Sequence, residues 1–269
     1  MTDNKSPITT ANPGAFDVFA GSYDADFTHS PLGQMLRPRV WAFMAEHFAP
    51  GQRILELACG SGEDAVWLAK RGARVIATDG SAEMIKVTVA KAAAAGVGAN
   101  LVAQQVSLQA IIGGHFDDTF DGVYSNFGGL NTIGDWRPLA EALAKIVRPG
   151  GKAILVPMGP LCPWEILWYL GHGRVKTAFR RFRRCAPARI GEAVIPIWYP
   201  SARRLRADFS PWFQHLRTES LELWLPPTYL GHLVNRWPIF FGRLNQLEKR
   251  TAYLTRGWGD HYISLLERK

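Results

Sequence analysis

Residues 53–85 read RILELACGSGEDAVWLAKRGARVIATDGSAEMI, and this stretch decides the fold of the chain. It begins with an apolar strand pattern at residues 53–57, followed by a glycine-rich turn at 58–62. A helical pattern then runs to Gly72, and a second strand pattern ends at Asp79. Strand, helix and strand in this order predict a βαβ unit with a right-handed crossover.

The glycine-rich turn has the composition of a ligand loop. Gly60 and Gly62 lack a Cβ, so the backbone can pass close to a ligand. Asp79, at the tip of the second strand, can accept hydrogen bonds from both hydroxyls of a ribose, as an acid does in dinucleotide-binding folds. Glu56, on the strand before the turn, would repel a pyrophosphate. A ligand that carries an ammonium and a sulfonium group would not be repelled.

Two runs of this stretch are similar to known family motifs. E-L-A-C-G-S-G at 56–62 and A-T-D-G-S-A-E-M-I at 77–85 resemble the first and second motifs of class I S-adenosylmethionine-dependent methyltransferases, of the small-molecule types 11 and 25. The run S-N-F-G-G-L-N at 125–131 and R-P-G-G at 148–151 are further resemblances. The resemblance implies a methyltransferase with S-adenosyl-L-methionine as cofactor and S-adenosyl-L-homocysteine as product. An NAD-binding Rossmann protein or a ligand-free βαβ unit is the alternative.

The family resemblance also implies the architecture. We expect an α/β fold with a Rossmann-like, seven-stranded, doubly wound sheet whose last strand is antiparallel, covered by a helical cap formed from insertions. Residues 1–14 are expected to be a disordered lead-in, and residues 15–158 to form the cofactor-binding core with an N-terminal lid. Residues 159–269 then hold the cap insertions, 159–200 and 226–256, and the last two strands.

Thirteen positions are expected to contact the cofactor. They are Tyr23, Arg37, Glu56, Ala58, Gly60, Gly62, Asp79, Gly80, Met84, Gln105, Val106, Ser107 and Asn126. Tyr23 would close the pocket as in relatives with a Tyr-Asp pair, or its segment is a helix that packs phenylalanines on the core. Arg37 would bind the methionine carboxylate, or it is a solvated surface arginine. Gln105 or Ser107 would replace the acid that many relatives use to bind adenine.

The acceptor should meet the cofactor at the carboxyl end of the fourth strand, near the switch in strand order. Seven residues of the lid, this strand end and the cap are expected to contact it: Phe27, Phe127, Asn131, Trp164, Trp168, Tyr199 and Tyr229. Methyl transfer is an in-line displacement, so the protein mainly aligns the reactants. A hydroxyl acceptor would need a base, and the candidates are His29, His172, His215, His232 and His261. Of these, His29 and His172, on the expected lid and cap, are the predicted catalytic residues. A surface or core role is the alternative for each of the five.

The charge of the chain is concentrated in its second part. The net charge is +8 over 269 residues, yet residues 159–269 alone contain 18 Lys and Arg against 8 Asp and Glu. Seven of the ten tryptophans also follow residue 158, which favours an apolar, aromatic or lipid-like acceptor. The Arg-rich segment 174–184 would face an anionic partner, either a phosphorylated substrate or an acidic membrane surface. A solvated helix face is the alternative.

Composition excludes several other classes of protein. The three cysteines have no disulfide or metal-ligand spacing, so we expect no metal site and a reducing cytoplasm. No apolar run approaches the roughly 18 residues of a membrane span, and the polar N-terminus lacks a signal core. No nucleic acid partner is expected, which makes RNA methylation a weak alternative. A protein that uses the cofactor without methyl transfer, or as a regulator, remains open, as does a monomer or a homodimer.

Overall fold

The computed structural model of the chain describes residues 13–269. The expected lead-in lies outside them except for Pro13 and Gly14, which open a 3-10 helix, Pro13–Phe19. The strands of the described residues are β1 (Arg53–Leu57), β2 (Arg74–Asp79), β3 (Leu101–Gln105), β4 (Phe120–Ser125), β5 (Val147–Leu155), β6 (Cys185–Ile190), β7 (Ala193–Trp198), β8 (Phe213–Leu221) and β9 (His261–Arg268).

Seven of these strands form one sheet in the order β3-β2-β1-β4-β5-β9-β8. β1 pairs in parallel with β2 and with β4, so that Ile54 lies opposite both Val75 and Gly122. β9 runs antiparallel between β5 and β8. The predicted Rossmann-like, doubly wound sheet with an antiparallel last strand is therefore confirmed.

Helices cover both faces of the sheet. They are α1 (Pro31–His47), α2 (Glu63–Lys70), α3 (Ala82–Ala94), α4 (Leu108–Ile112), α5 (Arg137–Ile146), α6 (Pro163–Gly171), α7 (Val175–Ala178), α8 (Ala202–Phe209), α9 (Gly231–Arg236) and α10 (Pro238–Thr251). Successive residues of a strand point to opposite faces. Ile54 accordingly joins the core with α1 and α2, and Leu55 joins the core with α5 and α8. Within the described chain, no helix is both long and apolar enough to cross a membrane.

The first cap insertion is only partly helical. The helical pattern expected to continue through residues 174–184 gives the short α7 and one 3-10 turn, Arg180–Phe182. The chain then forms the antiparallel hairpin β6-β7, which pairs Ala186 with Ile197. Gly191 makes its turn with φ +57°, a conformation that suits glycine. Residues 193–198 are rich in β-branched side chains, which pack well on a pleated surface.

The second insertion lies beside the core instead of over the sheet edge where the ligand loops meet. Val234 of α9 and Phe241 of α10 are buried in the same core as Leu36 and Val40 of α1. Arg39 of α1 also donates to the buried carboxylate of Glu248 on α10 at 3.1 Å. Residues 226–256, expected to form part of a helical cap, thus pack against the side of α1, because their apolar side chains share a core with those of that helix.

A buried ion cluster fastens the first insertion to β9. Arg181 donates to Glu165 at 2.8 Å and to the carboxylate of Asp260. The Nδ1 atom of His261 lies 2.5 Å from an oxygen of Glu222 and 3.0 Å from an oxygen of Asp260. Breaking one member would leave buried charge uncompensated, which is costly. The cluster therefore holds the segment that leads into the hairpin against the end of the sheet.

The turn between β1 and α2 fits only if it stays free of side chains at one point. Gly62 has φ +72°, and a Cβ placed there would lie 2.4 Å from Cγ2 of Thr88 on α3. The hydroxyl of Thr88 also donates to the carbonyl of Gly60 at 3.0 Å. Packing between α2 and α3 thus sets the shape of the ligand loop.

We expect Gly62→Ala to lower the free energy of unfolding by about 2–3 kcal/mol, because it adds a clash to an unfavourable φ. The matched control is Gly96→Ala, where φ is +68° and nothing lies within 4 Å of the added Cβ. That control should lose only about 1 kcal/mol. Urea unfolding of both variants measures the difference, and equal losses would contradict the clash.

The pH dependence of stability should report the ion cluster. Burial alone would lower the pKa of His261, but the carboxylates of Glu222 and Asp260 raise it to about 9. The folded pKa exceeds the unfolded value of about 6.5, so this stabilisation is full below pH 6.5 and is lost as pH rises through the folded pKa. We expect roughly 2 kcal/mol of unfolding free energy to disappear between pH 7 and 10.

Urea titrations at several pH values measure this loss. His261→Gln should flatten the alkaline fall, whereas the control His215→Gln should retain it. The interpretation fails if the His261→Gln protein loses stability with pH as steeply as the parent does.

Candidate active site

One cavity, of about 350 Å³, lies where the loops after β1, β2, β3, β4 and β5 converge at the carboxyl edge of the sheet. This is the switch point at which the strand order reverses, where open α/β sheets bind ligands. Its wall combines the residues Phe16, Tyr23, Arg37, Glu56, Ala58, Cys59, Gly60, Asp64, Asp79, Gly80, Met84, Ser107, Leu108, Gln109, Asn126, Phe127, Gly128, Gly129, Thr132, Met158, Ala188, Ile190, Ile197 and Tyr199.

Asp79 joins the first two loops. Its carboxylate accepts from the N–H of Gly60 and from the N–H of Ser81, both at 2.9 Å. Burial raises the pKa of Asp79, while these backbone donors act against the rise. A carboxylate has about four acceptor positions, so two remain for ligand hydroxyls. The aspartate is thereby fixed in place and still able to bind.

Two acceptors in the cavity wall lack partners. Oε2 of Glu56 and Oδ1 of Asn126 are buried and, among residues 13–269, accept no hydrogen bond. Burial, and then the charge of Asp64, raise the pKa of Glu56 well above its usual range. A buried acceptor without a donor is costly, and an ammonium group of a ligand would supply the missing donors. The donor and acceptor set of the wall thus fits an amino-acid moiety of the kind that the sequence predicts.

Arg37 belongs to an internal network and is not solvated. It donates to Asp64 at 2.8 Å and to Thr28 at 3.1 Å. Asp64 also accepts from Asn126 at 2.9 Å. Nε of Arg37 is buried and, within the described residues, has no acceptor. The guanidinium therefore keeps one donor available at the cavity wall.

The N-terminal segment closes one side of the cavity. Tyr23 lies with its ring 3.9 Å from the position that a Cβ on Gly60 would take, and burial raises the pKa of its hydroxyl to about 12. Asp24 accepts from Ser61 at 2.6 Å. The Asp17 carboxylate contacts the hydroxyl of Ser81. The segment is thus attached to both ligand loops.

The part of the cavity predicted to bind adenine is formed by the loops after β2 and β3. Gly80, Met84 and Ser107 line the cavity. Gln105 and Val106 do not line it. Nε2 of Gln105 donates to the carbonyl of Gly80 at 3.3 Å, and the N–H of Val106 donates to the backbone carbonyl of Asp79. These two residues support the loops from outside. Gly62 likewise lies outside the cavity wall, against α3.

The far end of the cavity is apolar. Phe127 and Tyr199, both predicted to contact the acceptor, line it. Sequence reasoning missed the other apolar groups there, which come from the hairpin, the N-terminal helix and the loop after β5: Phe16, Met158, Ala188, Ile190 and Ile197. The β-branched residues Val194, Ile195 and Ile197 were the available sequence signal for a strand in this region.

The structure does not bring the two predicted catalytic histidines to the cavity. His29 is exposed at the end of the π-turn Asp24–Thr28. His172 is exposed after α6, with Nδ1 2.7 Å from the carbonyl oxygen of Trp168. Neither residue lines the cavity, so neither is placed to take a proton there.

Five of the predicted acceptor contacts lie behind or away from the cavity. Phe27 packs edge-on against Phe127, with ring centroids 4.9 Å apart. Asn131 is fully buried and donates to the carbonyl of Met158 at 3.0 Å. The other three belong to the α6 side of the molecule, in contact with α9, α10 or Glu165: Trp164, Trp168 and Tyr229.

Known proteins are similar to this chain in sequence and in fold. Residues 54–151 match the family described as a methyltransferase domain. A demethylmenaquinone methyltransferase of Mycobacterium tuberculosis is 28% identical over 233 residues, covering 87% of this chain and 85% of the relative. An uncharacterized protein of that species is 35% identical over 127 residues, covering 47% of this chain and 42% of its own.

Solved structures extend the comparison of the fold. The cyclase SpnF aligns with a TM-score of 0.64 at 12% identity, over 97% of this chain and 98% of its own. An S-adenosylmethionine-dependent methyltransferase from Mesorhizobium loti aligns with a TM-score of 0.53 at 16% identity, over 86% of this chain and 96% of its own. Residues 54–151 therefore carry a methyltransferase domain that includes loops of the cavity, and the domain match and the methyltransferase relatives support a class I S-adenosylmethionine-dependent methyltransferase with S-adenosylmethionine as its cofactor.

Proposed function

We propose that this methyltransferase modifies an apolar small molecule that carries a ring or a lipid-like chain. The observation that carries the proposal is the apolar far end of the cavity, walled by Phe16, Phe127, Ile190 and Ile197. Apolar walls with few polar groups are typical of small-molecule sites. A relative named for demethylmenaquinone is consistent with this class of acceptor.

We assign the cofactor's parts to the cavity by chemistry. Asp79 accepts from the ribose hydroxyls, since its carboxylate is fixed by Gly60 and retains free acceptor positions. Glu56 and Asn126 accept from the ammonium group, for which both have an unpartnered oxygen. Nε of Arg37 donates to the methionine carboxylate. The adenine lies between the second and third loops, next to Gly80, Met84 and Ser107.

The cofactor supplies a methyl group already activated by its sulfonium. The protein's task is then to align the acceptor for in-line displacement and to exclude water, and alignment can supply roughly 7–11 kcal/mol. Phe127 and Met158 contribute apolar side chains to the cavity wall. Among the described residues, no histidine lines this cavity. A lining without histidine suits a nucleophile, such as an electron-rich carbon, that reacts without a histidine base.

Loss of the Asp79 carboxylate should weaken cofactor binding. Hydrogen bonds to a charged group contribute roughly 1.5–3 kcal/mol each, so removing two should raise the Kd of S-adenosylmethionine by at least about 100-fold. We expect this for Asp79→Ala in isothermal titration calorimetry, with thermal melting to verify the fold. The control is Asp118→Ala, which removes an exposed carboxylate that pairs with Arg53. An unchanged Kd in Asp79→Ala would refute the ribose assignment.

The acceptor class is tested by turnover. We expect S-adenosylhomocysteine release, followed by mass spectrometry, with apolar quinols or phenols that carry alkyl chains, and none with amines, sugars or RNA. Demethylmenaquinone belongs in this panel. Turnover of only hydrophilic acceptors would contradict the proposal.

A polar substitution in the apolar wall should weaken binding of the acceptor and leave binding of the cofactor unchanged. Ile197→Asn should raise the KM of the apolar acceptor about tenfold, because it removes roughly 1.5 kcal/mol of apolar contact, and should leave the Kd of the cofactor unchanged. The matched control is Val194→Asn, on the same strand, where the side chain is 65% exposed. Equal effects in the two variants would contradict an acceptor role for this wall.

A further inference from the structure

One face of the molecule exposes an unusual number of large apolar side chains. It is built from α6, α7 and the turn between α9 and α10, and we call it the cap face. Its exposed apolar members are Leu167, Leu170, Val175, Phe179, Phe182, Trp237, Ile239 and Phe240. Ile239 is 77% exposed and Leu167 69%. Soluble proteins rarely gather such groups on one side unless the surface binds something.

The two halves of the cap face are in contact. Trp168 of α6 lies 6.4 Å from His232 of α9, measured between ring centroids. Trp164 of α6 lies 5.8 Å from Phe241 of α10. Helix α6 therefore packs beside α9 and α10, although about 60 residues of chain separate the two segments.

The charge of the cap face has one sign. Residues 166–191 and 223–247 contain nine Lys and Arg and no Asp or Glu. Arg180 and Arg181 are held by the buried Glu165. The other seven form no ion pair among residues 13–269: Arg174, Lys176, Arg183, Arg184, Arg189, Arg236 and Arg243. Their charge is complementary to an anionic surface.

A second cavity borders the cap face at Phe182 and also borders the active-site cavity. Its volume is about 870 Å³, and Phe182, Arg183 and Arg184 line it on the cap side. Gln109 and Tyr199 line both this cavity and the cofactor cavity. These two residues form a wall common to both cavities, so the second cavity adjoins the cofactor cavity.

From these observations we propose that the cap face docks on an anionic lipid bilayer, from which the enzyme draws a lipid-like acceptor. This rests on the proposed function for the nature of the acceptor. Tryptophan, isoleucine and phenylalanine enter the boundary between headgroups and acyl chains, while the flanking arginines pair with lipid phosphates. An anionic bilayer accounts for both the exposed apolar side chains and the unpaired basic residues, because it offers an apolar interior and negatively charged headgroups on one extended surface.

Vesicle flotation with the full chain tests the proposal. We expect binding to vesicles of phosphatidylcholine that contain about 30% phosphatidylglycerol, and weak binding to pure phosphatidylcholine, since each basic residue near the surface is worth about 1 kcal/mol, a fivefold change. Salt should weaken the binding by screening. Equal binding to both kinds of vesicle, or binding to neither, would overturn the proposal.

Paired variants locate the surface. Ile239→Ser with Phe240→Ser should lower partitioning about tenfold or more through lost apolar burial. The matched control is Val89→Ser with Val102→Ser, two valines each 52% exposed on another part of the molecule. Arg236→Glu is compared in the same way with Lys145→Glu on α5. Controls that lose as much binding as the cap-face variants would refute this location.

Turnover with the acceptor in detergent micelles separates this proposal from the function it rests on. Cap-face variants should retain S-adenosylhomocysteine release in micelles and lose it with the acceptor in vesicles. For the parent protein, release in micelles without any binding to anionic vesicles would refute the docking face and leave the proposed function standing. A cap face that instead pairs two copies would double the mass in light scattering and abolish vesicle binding, which also overturns it.

Discussion

The carboxylate of Asp79 is the contact on which the site depends. It ties the loop after β1 to the loop after β2, through the N–H groups of Gly60 and Ser81. Thr88 fixes the carbonyl of Gly60 from the other side. The loop is consequently shaped before any ligand arrives, and little ordering remains to be done on binding. Parallel strands then bring the remaining loops to the same edge of the sheet.

The core could be predicted because its signals are local. Residues 53–85 contain a complete βαβ unit, and its turn, helix and terminal acid follow one another in the chain. The cap could not be predicted equally well. Basic residues at 180–184 are compatible with a helix, but Arg180 and Arg181 turn inwards to Glu165, and this tertiary pairing ends the helical run.

The residues that contact the acceptor were harder still to predict from the sequence. Aromatic residues such as Trp164 and Trp168 suggested an acceptor pocket by composition alone, yet they pack between α6, α9 and α10. Ile190 and Ile197 have no chemical signature, and only the pairing of β6 with β7 aims them at the cavity. Residues that contact an apolar ligand are recognised from geometry, since their side chains are those of any core.

The N-terminal segment touches both halves of the catalytic chamber. Asp17 and Tyr23 meet the nucleoside loops, while Ala15 packs with Ile195 and Ile197 of the hairpin. A movement of this segment would therefore open the loops after β1 and β2 and the hairpin wall together. Release of the spent cofactor and exchange of the acceptor would then be coupled through a piece of chain that performs no chemistry itself.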